Sequence, residues 1–172
     1  MKYNPDSVQK ERLELLKTVI SIFEENIVKY SVAGGYGLDG LYGELTRDHE
    51  DIDVIVDSDD IEKARALLLT LGFKRKEDAL NPTEVYFHNV LNVKLELGNL
   101  TKFPEHRFEG DTAMLLPGIL NASLDGVSFK AVTLAGHKAI RIVQEKRHGT
   151  EDRKPKFEHD ESLIAALDKK SN

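Results

Sequence analysis

Two aspartates interrupt a segment that otherwise has the composition of a buried strand. Asp51 and Asp53 flank Ile52 in the run DIDVIV. Alternate residues of a strand project from the same face, so the two carboxylates are expected side by side while Ile52 points into the core. Paired carboxylates repel each other, which raises the pKa of one of them or requires a cation between them. Since Mg²⁺ prefers carboxylate oxygens completed by phosphates and water, the segment predicts a magnesium clamp for a nucleoside triphosphate.

A third acidic side chain is expected from a neighbouring strand. The segment from Asn92 to Leu97 alternates in polarity, and Glu96 follows Lys94 on its polar side. Glu96 is therefore the candidate to accept the proton of an attacking hydroxyl or to bridge a second metal. Asp111 is a reserve candidate for the same position.

A glycine pair precedes the acidic segment and suggests a phosphate-binding site. Gly34 and Gly35 stand between a predicted strand and a predicted short helix. Glycines allow the backbone to approach a phosphate closely, and the start of a helix offers unpaired N–H groups. Thr46 and Arg47 supply a hydroxyl and a planar fork of donors that suits phosphate. Phosphates held there would lie near the carboxylates if the two strands are neighbours.

Hydrophobic periodicity predicts a mixed order of helices and strands. The expected helices cover residues 7–29, 36–42, 59–71, 134–146 and 158–167, and the expected strands cover residues 30–33, 52–56, 73–76, 84–88, 92–97 and 127–131. A turn is expected at Leu80-Asn81-Pro82, whereas residues 98–125 give no readable pattern. The order indicates an α+β fold with helices on one face of a sheet and a helical C-terminal tail. We expect a core over residues 1–132, on which residues 133–172 pack as part of the same domain.

Composition narrows the function further. The chain has 172 residues, no cysteine and a net charge of −6. This length suggests one domain, and the absence of cysteine excludes a disulfide framework. No basic stripe is present, so nucleic acid is an unlikely partner, and the acidic balance suits a metal or a cationic small molecule better. No apolar run reaches membrane-spanning length, and we expect a cytoplasmic protein. A homodimer is compatible with the sequence, which does not fix the oligomeric state.

The order strand, Gly-Gly, short helix and Asp-x-Asp resembles the nucleotidyltransferase superfamily with a polymerase-beta-like core. The fuller string, GG-aromatic-x-LD-xxx-G-xx-TR-x-H-x-DID from Gly34 to Asp53, is similar to the branch that holds lincosamide and aminoglycoside nucleotidyltransferases. The resemblance implies a mixed sheet of the polymerase-beta type. It also implies Mg²⁺-dependent transfer of a nucleoside monophosphate from ATP, or another NTP, to a hydroxyl of a small molecule, with release of pyrophosphate.

The resemblance also assigns residues. It implies Asp51, Asp53 and Glu96 as catalytic residues and metal ligands, and Gly34, Gly35, Thr46, Arg47, His49 and Lys156 as nucleotide-binding residues. For His49 two interpretations stay open, a phosphate-positioning residue and a loop histidine satisfied by backbone. Lys156 begins the tail match KFEHD and either reaches the triphosphate or lies at a solvated helix start. Asp39 is expected to make a structural bond to Arg47 or to backbone. Several aromatic residues, Tyr86 and Phe87 among them, could line an acceptor pocket, but core packing is favoured for most of this set.

The chain departs from this branch on the third acidic strand. Where the branch usually has Asp-hydrophobic-His-Pro, this sequence has Glu96, Leu97, Gly98 and Asn99. The carboxylate is one methylene longer, and the histidine is missing. Two alternatives therefore stay open beside the small-molecule enzyme. One is an RNA-modifying nucleotidyltransferase toxin, against which the acidic charge and the Thr-Arg-x-His string count. The other is a catalytically degenerate member that binds nucleotide without turnover.

Overall fold

The computed structural model describes residues 3–76, 83–100, 115, 120–148 and 154–171. Within these ranges the helices are α1 (Ser7–Glu25), α2 (Gly34–Tyr42), α3 (Ile61–Thr70), α4 (Leu134–His148) and α5 (Lys154–Ser171), and a 3₁₀ turn at Ser58–Asp60 precedes α3. The strands are β1 (Tyr30–Val32), β2 (Asp51–Val56), β3 (Phe73–Arg75), β4 (Thr83–His88), β5 (Val93–Asn99), β6 (Leu120–Leu124) and β7 (Val127–Ala131). The turn predicted at Leu80-Asn81-Pro82 and the reserve carboxylate Asp111 lie outside the described residues.

The described strands form one mixed sheet in the order β3-β4-β5-β2-β1-β7-β6. The central strand β2 runs parallel to β5 and antiparallel to β1, and β1 runs parallel to β7. The register between β2 and β5 sets Asp51 beside Lys94 and Asp53 beside Glu96. The polar faces of two strands that are distant in sequence are thereby brought together at the centre of the sheet.

The apolar face of the sheet is covered by α1 and α3. Ile52 of β2 is fully buried there, together with Val19 and Phe23 of α1 and Leu68 of α3. The side chain of Asp6 caps α1 by accepting the N–H of Gln9 at 2.8 Å.

The first helix ends earlier than the predicted limit at residue 29. Ile27 adopts a positive φ of 54°, and the Val28 N–H returns to the carbonyl oxygen of Phe23 at 2.9 Å. This turn is what ends α1 at Glu25 and releases the chain into β1.

A smaller hydrophobic core lies on the opposite face of the sheet and packs against α4. Ile55, which alternates with the inward residues of β2, packs with Ala33, Val132 and the α4 residues Ala139 and Ile140. Helices therefore contact both faces of the sheet: α1 and α3 cover one face, and α4 packs on the other. The sequence had led us to expect helices on one face. The α+β class with a mixed sheet is as predicted. No helix within the described ranges is both long and apolar enough to cross a bilayer.

One strand was not predicted. β6 lies in the segment without a readable pattern and pairs antiparallel with β7. Asp125 and Gly126 connect the two strands with positive φ angles of 48° and 78°. An Asp-Gly pair with this geometry is typical of a tight hairpin, so the signal for β6 was present in the turn and not in the strand itself.

Candidate active site

Three carboxylates meet on the polar face of β2 and β5. Asp51, Asp53 and Glu96 each offer one oxygen, and these oxygens all lie within 4.8 Å of one another. The cluster arises because Asp53 and Glu96 are register partners on adjacent parallel strands. The structure thus brings the predicted pair and the predicted third carboxylate together.

Two lysines contact this cluster. The Nζ atom of Lys94 lies 3.0 Å from Oδ2 of Asp51 and 2.8 Å from Oε1 of Glu96. Lys156, at the start of α5, places its Nζ atom 3.9 Å from Oδ1 of Asp51. Asp51 and Glu96 are thereby paired with ammonium groups, and Lys156 lies beside the acidic pair.

The environment moves the pKa values of the two aspartates in opposite directions. Burial, reinforced by the charges of Asp51 and Glu96, raises the pKa of Asp53 to about 8. Burial acts against ionisation of Asp51 too, but Lys156 and Lys94 outweigh it and lower the pKa of that carboxyl below its ordinary value. One carboxyl of the pair is therefore poised to exchange its proton for a cation.

The glycine pair lies directly against the functional side chains. Gly34 has a positive φ of 57°, and a Cβ added to it would stand 1.9 Å from Oδ2 of Asp53. A Cβ on Gly35 would stand 2.2 Å from Nδ1 of His49 and 2.7 Å from Nη2 of Arg47. Ala33, the N-cap of α2, has no side-chain oxygen to satisfy the first N–H groups of the helix. An open helix start therefore lies next to the carboxylate cluster, as phosphate binding requires.

Asp39 organises the loop between α2 and β2. Its side chain is fully buried and accepts the backbone N–H of Thr46 at 3.0 Å, the Thr46 hydroxyl at 2.5 Å and Nε2 of His49 at 2.6 Å. The expected bond from Asp39 to backbone is present. Arg47 instead pairs with Asp160 of α5. Thr46 and His49 are thus held in place by a carboxylate of the same string.

His49 is enclosed on all sides. Its ring lies 4.4 Å from the ring of Tyr36, and its backbone N–H donates to Oε1 of Gln9 at 2.8 Å. Burial lowers the pKa of His49 although Asp39 opposes this effect. A neutral ring that donates Nε2–H to Asp39 presents the lone pair of Nδ1 towards Gly35. A buried neutral ring of this kind is suited to holding the loop in place and not to binding an anion.

Helix α5 closes over the loop. Nε2 of His159 lies 2.8 Å from the Thr46 hydroxyl, and Asp160 Oδ1 accepts from Nε and Nη2 of Arg47 at 3.2 and 3.1 Å. With Lys156, three residues of the KFEHD tail contact the site. The C-terminal helix therefore forms part of the wall of the candidate site. In the sequence, only the short KFEHD match pointed to His159 and Asp160.

A cleft opens beside the carboxylates. Its volume is about 400 Å³, and it is lined by Arg12, Glu50, Asp51, Phe87, Asn92 and Lys94. Phe87 is the register partner of Lys94 and is 36% exposed, so it forms an aromatic wall and not part of the core. Tyr86, by contrast, is buried as expected. Arg12 and Asn92 were not predicted, because only the folding of α1 and the β4–β5 turn around the sheet brings them here.

The altered end of the third acidic strand has a structural role. Asn99 is buried and accepts the hydroxyl of Ser58 at 2.8 Å. Gly98 lies two residues beyond Glu96, is buried and carries no side chain. Its backbone is the register partner of Ile55 in β2 and Thr83 in β4.

Comparisons with known proteins agree with this geometry. A curated lincosamide resistance protein of Staphylococcus haemolyticus is 36% identical over 56 residues, which are 33% of this chain and 35% of that protein. The match thus spans about a third of the relative's length.

Solved structures share the fold. The solution structure of the antibiotic-resistance factor ANT(2'')-Ia superposes with a TM-score of 0.75 at 15% identity, covering 92% of this chain and 84% of that one. The lincomycin-bound lincosamide adenylyltransferase LnuA gives 0.62 at 18% identity, covering 88% and 95%. ANT(2'')-Ia in complex with adenylyl-2''-tobramycin gives 0.65 at 16% identity, covering 94% and 99%. The predicted fold class is confirmed.

The sequence profile of the aminoglycoside-2''-adenylyltransferase family matches residues 15–102, about half of the chain. The matched region contains the whole string from Gly34 to Asp53 and the third carboxylate Glu96. The resemblance to the antibiotic branch of the nucleotidyltransferases is thereby confirmed, and this chain belongs to the aminoglycoside-2''-adenylyltransferase family.

Proposed function

We propose that the protein transfers a nucleoside monophosphate from ATP, or another NTP, to a hydroxyl group of a small molecule and releases pyrophosphate. The observation that carries this proposal is the cluster of three carboxylates, one of which, Asp53, lies against Gly34 at the open start of α2. Family membership supports the same reaction. Because the substrate is a nucleotide, we place the reaction in the cytoplasm.

The acidic cluster fits a magnesium ion. All three candidate ligands, Asp51, Asp53 and Glu96, offer carboxylate oxygen, the donor type that Mg²⁺ prefers. When bound, Mg²⁺ would neutralise the negative charge of the triphosphate and of its transition state. Asp53 serves this purpose only after losing its proton, so binding of the cation is coupled to proton release.

The nucleotide phosphates are assigned to the start of α2 and its neighbours. The first N–H groups of the helix, at Gly34 and Gly35, bind phosphate oxygens. The guanidinium of Arg47 and the ammonium of Lys156 add positive charge from two sides. Thr46 and His49 act as positioning residues, because the Thr46 hydroxyl and the His49 ring are already engaged by Asp39.

Glu96 is assigned the role of general base. Its carboxylate accepts the proton of the acceptor hydroxyl while the hydroxyl oxygen forms a bond to the α-phosphorus. The bond from that phosphorus to the bridging oxygen breaks, and pyrophosphate leaves with the electron pair. The extra methylene of Glu96, relative to aspartate, lengthens the reach of this carboxylate.

The acceptor is assigned to the cleft beside Asp51. Phe87 offers an apolar wall, and Glu50 and Asp51 offer carboxylates to amines and hydroxyls. A hydroxylated amine fits both features, and the net charge of −6 favours a cationic molecule. We therefore propose an acceptor of the aminoglycoside or lincosamide type.

A pyrophosphate-release assay tests this proposal. The protein is incubated with Mg²⁺ and ATP or GTP, against aminoglycosides and lincosamides, with acceptor-free and EDTA-treated controls. We expect acceptor-dependent release that EDTA abolishes, and mass spectrometry should show the added nucleotide on the acceptor. Binding of ATP without release against every acceptor would favour a degenerate nucleotide-binding protein. Strong labelling of tRNA with no labelling of small molecules would favour the RNA-modifying alternative.

A further inference from the structure

We propose that Lys94 is the resident counter-cation of the carboxylate cluster in the metal-free protein, and that a divalent ion displaces its ammonium group into the neighbouring cleft. The inference rests on the proposed function, because it assumes that Asp51, Asp53 and Glu96 bind a metal. It concerns a lysine to which the reaction described above gives no role.

The contacts of Lys94 are those of a bridging cation. Its Nζ atom lies 3.0 Å from Asp51 and 2.8 Å from Glu96, so one ammonium group joins two of the three carboxylates. Lys156, the other described lysine at the cluster, reaches only Asp51 and only at 3.9 Å. The position of Lys94 is built into the sheet, since it is the register partner of Asp51 and alternates with Glu96 on β5. An ion held by the same oxygens cannot share this space with a positive ammonium group.

The displaced ammonium has a place to go. The Lys94 side chain is 33% exposed and lines the cleft together with Glu50, Phe87 and Asn92. Its flexible four-carbon stem allows the ammonium to swing away without movement of the strand. In the cleft it meets the carboxylate of Glu50 and the exposed ring of Phe87, which are suitable partners for a cation. Metal loading would thereby shift the ammonium group from the carboxylate cluster towards Glu50 within the same cleft.

Two opposite effects follow for the metal-free and the metal-loaded protein. Without metal, Lys94 offsets the repulsion among the carboxylates and stabilises the fold. With metal, the same contacts must be broken, so Lys94 weakens metal affinity. A lysine that helped to recruit the metal or the nucleotide would have the reverse effect on affinity.

Binding of Mn²⁺ alone, without nucleotide, separates these cases. Free Mn²⁺ is measured by electron paramagnetic resonance for the wild-type protein and for Lys94→Met, and thermal unfolding is followed in EDTA and in Mn²⁺. We expect Lys94→Met to bind Mn²⁺ roughly tenfold more tightly, because one nearby positive charge has been removed. We also expect a lower unfolding temperature in EDTA and a larger rise on adding Mn²⁺.

A control and a second variant complete the test. Lys130→Met removes a lysine on β7, which is two strands away from β2 in the sheet; its Nζ atom donates to Oδ1 of Asn121 at 2.7 Å, and the variant should leave Mn²⁺ affinity unchanged. Lys94→Arg keeps the charge and can bind both carboxylates with its fork, so it should bind Mn²⁺ no more tightly than the wild type. If Lys94→Met fails to fold in EDTA, the Mn²⁺ affinity of Lys94→Arg is compared with that of the wild type. Tighter binding by Lys94→Arg would still overturn the role of Lys94.

The outcomes are distinguishable from failure of the proposed function. Unchanged or weaker Mn²⁺ binding by Lys94→Met, or tighter binding by Lys94→Arg, would overturn the role of Lys94 while leaving the metal site intact. Absence of Mn²⁺ binding to the wild-type protein would overturn the metal site itself.

Discussion

Gly34 stands directly against Asp53: a single added methyl group would lie 1.9 Å from the Oδ2 atom of the carboxylate. The glycine begins α2 with a positive φ of 57°, and the aspartate comes from the central strand of the sheet. The backbone proposed to bind phosphate and the side chain proposed to bind metal are thus held together by direct packing. Substitution of the glycine should therefore damage the site more than the fold.

Gly34→Ala is expected to lower transfer activity by at least about 100-fold, because the methyl group displaces Asp53 from the cluster. Gly126→Ala is the matched control, since Gly126 also has a positive φ, of 78°, but has nothing within 4 Å of the added Cβ. Both variants should lose about 1–2 kcal/mol of stability from the left-handed backbone. Activity and unfolding free energy are measured for both. Equal loss of activity in the two variants would contradict the role of Gly34.

Asp53→Asn should abolish magnesium-dependent transfer and leave the fold intact. The amide cannot supply a charged ligand to the metal. In the metal-free protein, the substitution removes a carboxyl group whose ionisation is opposed by burial and by the charges of Asp51 and Glu96. We expect the unfolding free energy in EDTA to be unchanged or higher by about 1 kcal/mol. The exposed residue Asp59 provides the control, and Asp59→Asn should keep full activity. A fully active Asp53→Asn protein would remove the basis of the proposed function.

Arg47 and Asp160 form an ion pair whose two members are expected to differ in function. Both Arg47 Nε and Nη2 donate to Asp160, yet Nη2 also faces the glycine pair. Arg47→Gln should reduce kcat/KM for the nucleotide by about 100-fold through loss of phosphate contacts, and Asp160→Asn by less than about tenfold through looser anchoring of α5. Steady-state kinetics of the two single variants and the double variant measure both contributions. Equal losses would mean that Arg47 serves only to anchor the helix.

Substitutions of Glu96 test whether the longer carboxylate performs the function of the usual aspartate. Glu96→Gln removes the base and should lower kcat by at least about 100-fold, in the range of general base catalysis. Glu96→Asp retains the base but shortens its reach, and we expect an intermediate loss of about tenfold. Single-turnover rates at saturating nucleotide separate this effect from binding. If Glu96→Gln kept the wild-type rate, another group would have to accept the proton.

The core of the site could be predicted because its signals are local. Strand alternation sets Asp51 and Asp53 on one face, and the same rule selects Glu96 on its own strand. A pair of glycines indicates a position where other groups pack closely against the backbone. What the sequence could not give is the parallel register of β2 with β5, which turns two separate alternations into one cluster. The sequence predicted only that Glu96 comes from a strand next to the acidic one.

The features that sequence reasoning missed depend on tertiary contacts. The sequence shows Lys94 only as a polar neighbour of Glu96, and its bridge to Asp51 exists because of the strand register. The bond from Asp160 to Arg47 joins residues 113 positions apart, and Arg12 reaches His49 from α1 in the same way. No periodicity or local motif encodes such contacts.

His137 of α4 provides a pH-dependent test of the packing between α4 and α2. The imidazole is buried, its Nε2 has no hydrogen-bond partner among the described residues, and a Cβ on Gly37 would lie 2.9 Å from its Cε1. Burial lowers the pKa of His137 from 6.5 to about 4. Protonation of this ring is therefore unfavourable in the folded state but not in the unfolded chain.

The consequence is a loss of stability on acidification. Between pH 6.5 and pH 4 the unfolded chain binds a proton at His137 that the folded protein does not, so the unfolding free energy falls as the pH falls through this window. His137→Leu removes this contribution, and its stability relative to the wild type should rise by up to about 3 kcal/mol between pH 7 and pH 4. Urea unfolding of both proteins across this range measures the difference, in which the titration of shared carboxyl groups cancels. Parallel stability curves would show that the imidazole is accessible to solvent and that α4 does not seal against α2.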